Sequence, residues 1–414
     1  MNESTTTHRM KRIIVAVTND LVTDQRVDRT CRALAGDGWA VTLVGRRTPS
    51  TPHQKGRKRV GAPLNTTGGA PLSGGSPPYG TRRMRLLFCR SAFFYAEYNL
   101  RLFLLLMFSR ADCFYANDTD TLLAATLATR LRRKPLFFDA HELFPDVPEL
   151  QGRPRVQAVW RWVERRCLPH VRQAFTVCQS VADEYRRRYG VQMTVVRNVP
   201  DRGEPPQVFN TNSTPSHIRT LLYQGAVNVG RGVGELIDVL QLLPECRLVV
   251  AGDGDCLASE RRHAASVPWA DRVQFLGRVE PERLHALTAQ ADLGLCLLQD
   301  LGLNYRYALP NRIADFAAAG VPILATDFPE IRRVLQHYGT GTLTSPLPND
   351  KSGDSYSHYL ESLADDIRQA LHYWDTLPPD ERARRFAKAG EELNWQCEKH
   401  VLLTALHAAL TPSR

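Results

Sequence analysis

The sequence predicts an α/β chain of 414 residues folded as two doubly wound domains, each built on a parallel sheet. Three observations predict it. Short apolar runs alternate with segments of helical period along most of the chain, the pattern of successive β-α-β units. Many of these runs end in Asn, Asp, His or Gly, as expected where the carboxyl ends of buried parallel strands face a crevice. A stretch rich in Pro, Asn, Thr and Ser, from Asp201 to Arg219, reads as an interdomain linker. The expected divisions are a first domain over 1–203, a second over 204–376 and a helical segment over 377–414.

The first domain opens with RIIVAVT at 12–18, a strand that ends at Asn19 and Asp20. Asp24 to Gly38 follows as a helix and AVTLVG at 40–45 as a second strand. No G-x-G-x-x-G follows the first strand, which disfavours a nicotinamide dinucleotide. From 48 to 82 the chain is rich in Pro, Gly, Ser, Thr and Lys, too poor in apolar residues to bury itself, and a mobile loop is expected. SAFFYAEYNLRLFLLLMFSR at 91–110 is a dense apolar helix flanked by Arg90, Arg101 and Arg110, too short and interrupted to span a bilayer. Two readings stand open for it: a buried domain helix, or an interfacial one whose apolar side chains dip into a membrane surface.

The alternation continues with a strand at 112–118, a helix over 119–132, PLFFDAHE at 135–142, a helix over 155–168, AFTVC at 174–178, a helix over 180–189 and TVVRNVP at 194–200. Asn117, Asp118, Asp139, His141 and Glu142 all fall at carboxyl ends of strands, where ligands of such sheets bind. Capping alone also accounts for Asp118, and Asp24 reads either as a helix cap or as a ligand contact.

The second domain begins with TLLYQGAVNVGRGVGELIDVL at 220–240: a strand, a Gly-rich turn at Gly225 to Gly232 and a helix. In that arrangement backbone amides and a cation hold phosphates. CRLVVAGDGD, RVQFLGRVEPERL and DLGLCLLQD supply three more strands. The segment from Asn304 to Glu330, NYRYALPNRIADFAAAGVPILATDFPE, carries the densest signal. Pro310 suits a first helical position, Ile313, Phe316 and Ala317 repeat at helical spacing, and Gly320 supplies the stop before a buried strand. Amides at the opening of this helix, near Asn311 and Arg312, suit a diphosphate, and Asp315 lies little more than one turn farther in, where a carboxylate accepts both hydroxyls of a ribose.

This segment resembles the second-domain motif of the GT-B glycosyltransferases, specifically the retaining, nucleotide-sugar-dependent enzymes of family four. The resemblance implies two Rossmann-like domains facing a central cleft. Of the paired glutamates that precede the AAG turn in that family, Asp315 matches the second, which holds the ribose. The first, which touches the donor sugar, falls on Tyr307. The family's Gly-rich turn carries an arginine and a lysine for the diphosphate. Arg231 matches the lysine and so inherits the catalytic role of stabilising the leaving diphosphate, whereas the arginine falls on Ala226, leaving Arg306 or Arg312 to supply the second cation. Gly225 and Asn228 belong to the same turn. Gly277, Arg278 and Val279 inherit a backbone grip on the nucleobase. In the first domain NDLVTDQRVDR and FDAHELFPDVPEL also resemble the family. They imply acceptor-side roles for Asn19, Asp24, Arg26, Asp118 and Glu142, and an approach of His141 to the donor sugar as a catalytic residue. ELNWQCEKHVLLTALHAAL resembles the terminal helix that crosses back to the first domain. No metal or further cofactor is expected, the nucleotide sugar being a co-substrate.

Composition sets limits on this reading. A content of 43% hydrophobic and 23% charged residues is ordinary for a globular chain. Nine cysteines without a Cys-x-x-Cys pair argue against zinc ribbons and a disulfide framework. The polar start lacks an apolar signal region and no apolar run reaches about 18 residues, so a cytoplasmic protein is expected, at most peripheral at the inner membrane face. A net charge of +10, concentrated as arginine clusters in the first half, favours anionic partners. The expected partners are a nucleotide-sugar donor and a glycan or lipid-linked acceptor of cell-surface polysaccharide or glycoconjugate synthesis, and no nucleic acid. Two rival readings are a sugar-nucleotide epimerase of the same fold and a nonenzymatic polyanion binder.

Overall fold

The computed structural model describes residues 10–21, 24–48, 77–201 and 218–411, the side chains of 281 and 282 excepted. The chain divides into two compact units, Met1–Val196 with Lys399–Arg414, and Arg197–Glu398. The first holds a seven-stranded sheet of β1 (Arg12–Ala16), β2 (Ala40–Arg46), β3 (Gly80–Met84), β4 (Cys113–Asn117), β5 (Leu136–Ala140), β6 (Gln173–Thr176) and β7 (Met193–Val195). Its order is β3-β2-β1-β4-β5-β6-β7 and every pairing is parallel. β4 and β5 are buried at every position, so they read in sequence as apolar runs, interrupted only by Asn117 and Asp139 near their carboxyl ends. Connecting them are α1 (Gln25–Gly36), α2 (Ser91–Met107), α3 (Thr119–Arg132), α4 (Pro154–Cys167) and α5 (Gln179–Tyr189).

β3 departs from expectation. Residues 80–82, assigned in sequence to the loop, lie in an edge strand paired with β2 from Thr42↔Gly80 to Arg46↔Met84. An edge strand has one neighbour and tolerates polar side chains, so GTRRM carries no apolar alternation to betray it. The rest of the expected loop, 49–76, lies outside the described residues.

The second unit carries a six-stranded parallel sheet ordered β10-β9-β8-β11-β12-β13. Its elements are β8 (Arg219–Gln224), α6 (Val233–Val239), β9 (Cys246–Ala251), α7 (Leu257–Ser266), β10 (Val273–Gly277), α8 (Pro281–Thr288), β11 (Leu293–Cys296), α9 (Leu303–Arg306), α10 (Asn311–Ala318), β12 (Ile323–Thr326), α11 (Pro329–Tyr338), β13 (Gly341–Thr344), α12 (Gly353–Thr376), α13 (Pro379–Glu392) and the start of α14 (Trp395–Leu410). The period of two shows in β8. Leu221 and Tyr223 enter the core beneath α6 and α12, and Leu222 enters the opposite core beneath α10, α11 and α13.

The structure moves both expected boundaries. Arg197 donates from its amide to Glu398 Oε2 at 2.8 Å and Pro200 O accepts from the Trp395 amide at 2.8 Å, so the chain joins the second unit at 197 rather than 204. Residues 377–398 also belong there: Phe386 and Ala389 are fully buried, and Glu392 accepts from the Tyr338 hydroxyl at 3.1 Å. Only from Lys399 does the terminal helix join the first unit, where His407 lies 2.7 Å from Asp37. Burial on a helix face, invisible to composition, set these limits.

Candidate functional site

Each sheet reverses its winding once, between β1 and β4 in the first unit and between β8 and β11 in the second, and the candidate residues gather at those switch points. In the second unit β8 ends in Tyr223 and Gln224, and the chain turns through Gly225, Gly230 and Gly232 with φ of 120°, 73° and 78°. Non-glycine residues rarely adopt such angles. The neighbouring loop after β9 comes so close that a Cβ on Gly252 would stand 1.8 Å from Gly225 O. Asn228 accepts from the Asp255 amide at 3.1 Å, so its Oδ1 braces these two loops.

Two arginines converge beside this turn. Arg312, in the first turn of α10, is buried at 6% exposure with its guanidinium over the Tyr223 ring, 4.3 Å from the centroid. Its Nη2 donates to Tyr223 Oη at 3.2 Å, and that hydroxyl donates to Ala226 O at 2.5 Å. Nη2 also lies 3.3 Å from where a Cβ on Gly225 would be, while Nη1 is buried without a hydrogen-bond partner. Arg231 projects over the Tyr305 ring at 4.6 Å, its Nε likewise buried and unpartnered, and Tyr305 anchors to Val229 O at 3.1 Å. Both guanidiniums pull down the thiol of buried Cys296 at the end of β11, which burial pushes up. Of the two arginines that the sequence offers as a second cation, Arg312 reaches the turn beside Gly225 from α10. Arg306 is half-exposed and turned to Asp300, to which its Nε donates at 3.0 Å.

Asp315 is half-buried in α10 and accepts from Gln224 Nε2 at 3.5 Å. Gln224 is 2% exposed and its Oε1 accepts from Thr288 at 2.8 Å, which turns the amide nitrogen toward the carboxylate. Tyr223, Gln224, Thr288 and Tyr305 escaped sequence reasoning. The polar pair Tyr223-Gln224 closing an apolar run was the available signal. Pro310 caps α10 rather than starting it, leaving Asn311 exposed in the first turn. Tyr307 closes α9, its amide donating to Leu303 O at 2.9 Å. Gly277 ends β10 at φ 67°, beside an irregularity in the register with β9, and Arg278 is exposed after it.

The first unit gathers an acidic cluster around one histidine. His141 Nδ1 lies 3.4 Å from Asp118, Nε2 lies 3.6 Å from Asp139, and its amide donates to Asp118 Oδ1 at 2.8 Å. Burial lowers the His141 pKa, but Asp118 and Asp139 outweigh it and hold the imidazolium up to about 9. Asp118 reaches the histidine from a backbone at φ 57° and ψ 165°, a region that costs a non-glycine residue about 1–3 kcal/mol. Asp120 is buried, accepts from Thr18 at 2.6 Å, and is pushed up to about 8 by burial and by Asp118. Glu142 is half-buried beside His141 in sequence.

Two expected acceptor-side residues, Arg26 and Asp24, and the strand-end Asn117 are bonded into the first unit. Arg26 is 4% exposed and grips Asp139 with two bonds, Nε at 3.1 Å and Nη2 at 2.7 Å, while Nη1 donates to Val196 O. It is a buried ion pair, because α1 packs over the sheet and points position 26 inward. Asp24 caps α1 through the Val27 amide at 3.1 Å and accepts from Asn19 at 2.8 Å. Asn117 ties β4 to Ala16 O at 2.9 Å.

Residues 24–202 match the family described as Glycosyltransferase Family 4, and residues 208–392 match Glycosyl transferases group 1. The chain is a family-four-like GT-B glycosyltransferase. Solved structures of the same fold cover almost all of this transferase. Sucrose-phosphate synthase (tll1590) from Thermosynechococcus elongatus superposes with a TM-score of 0.70 at 18% identity, over 96% of this chain and 100% of that one. Anabaena Alr3699/HepE in complex with UDP superposes at 0.64 and 15% identity, over 96% and 100%. The lipopolysaccharide outer core galactosyltransferase WaaB, in its apo form, superposes at 0.62 and 13% identity, over 97% and 100%. At these identities the likeness is one of fold. No curated protein sequence matches the transferase. Among its described residues no helix is long and apolar enough to cross a membrane.

Proposed function

We propose that the transferase moves a hexose, with retention of anomeric configuration, from a nucleotide-sugar donor to a glycan or lipid-linked acceptor. Its place would be the assembly of cell-surface polysaccharide or glycoconjugate at the inner face of the cell membrane. One observation carries the donor assignment: Arg312, buried with Nη1 unpaired, and Arg231, half-buried with its Nε buried and unpaired, flank a Gly-rich turn with Asp315 in the same unit. Buried donors without partners are costly unless a ligand satisfies them, and a diphosphate supplies the matching charge and oxygens. Asp315, its orientation set by Gln224, takes the ribose hydroxyls, and the backbone at Gly277 and Arg278 takes the base. The UDP bound in the HepE structure supports this class of ligand.

In the proposed reaction the two guanidiniums neutralise the charge that develops on the departing nucleoside diphosphate, the point at which preorganised donors lower the barrier most. They replace the divalent cation that other transferases use, so chelation by EDTA leaves turnover unchanged. His141 is charged below pH 9 and has both nitrogens directed at carboxylates. It therefore acts as a fixed positive group beside the sugar, not as a base. Retention rests on the family resemblance. Thermal-shift and calorimetric screening of UDP-, GDP- and ADP-sugars tests the reading: one nucleotide series binds and releases nucleoside diphosphate when acceptor is added. Failure of every series to bind removes it.

A further inference from the structure

The helix α2 carries two apolar stripes. Phe94, Tyr98, Leu102 and Leu106, spaced by one turn, are buried against the first unit. Phe93, Leu100, Leu104 and Phe108 follow a second line of the same helix and face solvent, Phe93 at 67% and Phe108 at 85% exposure. Domain packing accounts for the first stripe and leaves the second unexplained. The outer faces of the adjoining α3 and α4 extend it with Leu131 and Trp162. Of the 17 large apolar side chains exposed among the described residues, 11 lie between Leu87 and Trp162, a concentration on the part of the chain that holds α2, α3 and α4.

Arginines surround the patch, and Glu97 on α2 itself pairs with Arg101. Arg90, Arg110, Arg130, Arg133, Arg165 and Arg166 are exposed on or beside these three helices. At the edge formed by α4 and α5, Arg161, Arg165, Arg187 and Arg188 line a hollow of about 310 Å³ with Tyr189. Asp146 and Glu184 pair with three of the four guanidiniums, and buried Glu164 at its side accepts from the hydroxyls of Thr119, Tyr185 and Tyr189.

We propose that the outer face of α2, α3 and α4 is a docking surface for an anionic phospholipid bilayer. The Phe, Leu and Trp side chains enter the interface, and the surrounding exposed arginines, with Arg165 of the hollow among them, meet lipid phosphates. A second copy of this chain does not fit as the occupant, since a symmetric pairing would set one arginine fringe against another. Nucleic acid matches the charge but makes no use of the leucines. The inference deepens the acceptor side of the proposed function, and rests on it only for what docking serves: presentation of a lipid-linked acceptor.

The test is co-sedimentation of the full-length protein, without donor, with phosphatidylcholine vesicles and with vesicles that also contain phosphatidylglycerol. The protein partitions at least about tenfold more strongly onto the anionic vesicles, and salt weakens the binding. Phe93→Ser with Phe108→Ser lowers partitioning by about tenfold. Arg130→Gln with Arg166→Gln lowers it by about fivefold per arginine. All four positions are exposed, so melting temperatures stay at the wild-type value. Absence of wild-type protein from the anionic vesicles overturns the proposal, as does wild-type partitioning of both variants. A homodimer that the serine variant splits, by light scattering, with vesicle binding intact overturns it too. So does RNA binding that persists in the serine variant while vesicles are ignored. Donor affinity, measured separately by calorimetry, shows whether the transferase reading stands in each case.

Discussion

The Arg312 guanidinium lies over the ring of Tyr223 at 4.3 Å and donates through Nη2 to the hydroxyl of the same residue, which leaves Nη1 buried and unpaired. The aromatic face and the hydroxyl together fix the plane of the fork, a geometry that an ammonium does not reproduce. Arg312→Lys therefore weakens binding of the nucleoside diphosphate by about tenfold to a hundredfold, the range of one or two charge-assisted hydrogen bonds. Tyr223→Phe keeps the ring and loses only one bond, so it weakens binding less. Calorimetric titration with UDP, GDP and ADP reads both. Equal affinities for the wild type and the lysine variant would sink the assignment of Arg312 to the diphosphate.

Asp315 is expected to hold the ribose. Asp315→Ala lowers donor affinity by about tenfold or more and leaves the melting temperature nearly unchanged, since the carboxylate is half-buried in a helix whose apolar side makes the core. A 2′-deoxynucleotide supplies the second leg of a cycle. It binds the wild type more weakly than the ribonucleotide does, by less than the alanine substitution costs, and the two losses do not add. Additive losses would place Asp315 elsewhere on the ligand.

Arg26→Ala leaves Asp139 charged and buried without its two-bond partner. The expected cost is about 3–5 kcal/mol, read as an earlier unfolding transition of the first unit in urea. Donor affinity of the folded protein stays at the wild-type value, because the residue belongs to the scaffold of the first unit.

The acidic cluster predicts how stability depends on pH. His141 has its folded pKa raised to about 9 from an ordinary 6.5. Its pairing with Asp118 and Asp139 therefore contributes in full below about pH 6.5 and is lost as the pH rises through about 9, a contribution on the order of 3 kcal/mol. Asp120, raised to about 8 from 3.8, binds a proton more tightly when folded, so it too favours the folded state at low pH and loses that advantage as the pH rises to about 8. His141→Gln thus destabilises the protein more at pH 6 than at pH 10. Asp120→Asn, an uncharged mimic of the protonated acid, raises the melting temperature at pH 8 relative to the wild type. Melting curves of the three proteins across that range check both signs.

The fold was largely legible in the sequence. Buried parallel strands are mostly apolar, and the runs at 113–117, 136–140 and 246–251 announced β4, β5 and β9. α3 begins and ends where the sequence reading placed it, at Thr119 and Arg132. β3 stayed hidden because an edge strand needs no apolar alternation, and the boundaries at 197 and 399 stayed hidden because they depend on which surfaces Arg197 and α13 bury.

For the site, local chemistry in the sequence determined the kinds of group available: the Gly-rich turn with Arg231, the acid at 315 and the histidine at the end of β5. Tertiary structure alone decided which of them meet. Arg306 and Arg312 are equally cationic in the sequence, but one pairs with Asp300 at the surface and the other is buried against Tyr223, a residue 89 positions away. Arg26 and Asp139 are likewise 113 positions apart, and only the packing of α1 over the sheet turns a candidate ligand contact into a buried ion pair. Spacing along a chain reports neighbours on the same helix or strand. Contact between elements depends on how the sheet is wound, and that winding brings together side chains whose positions carry no mutual signal.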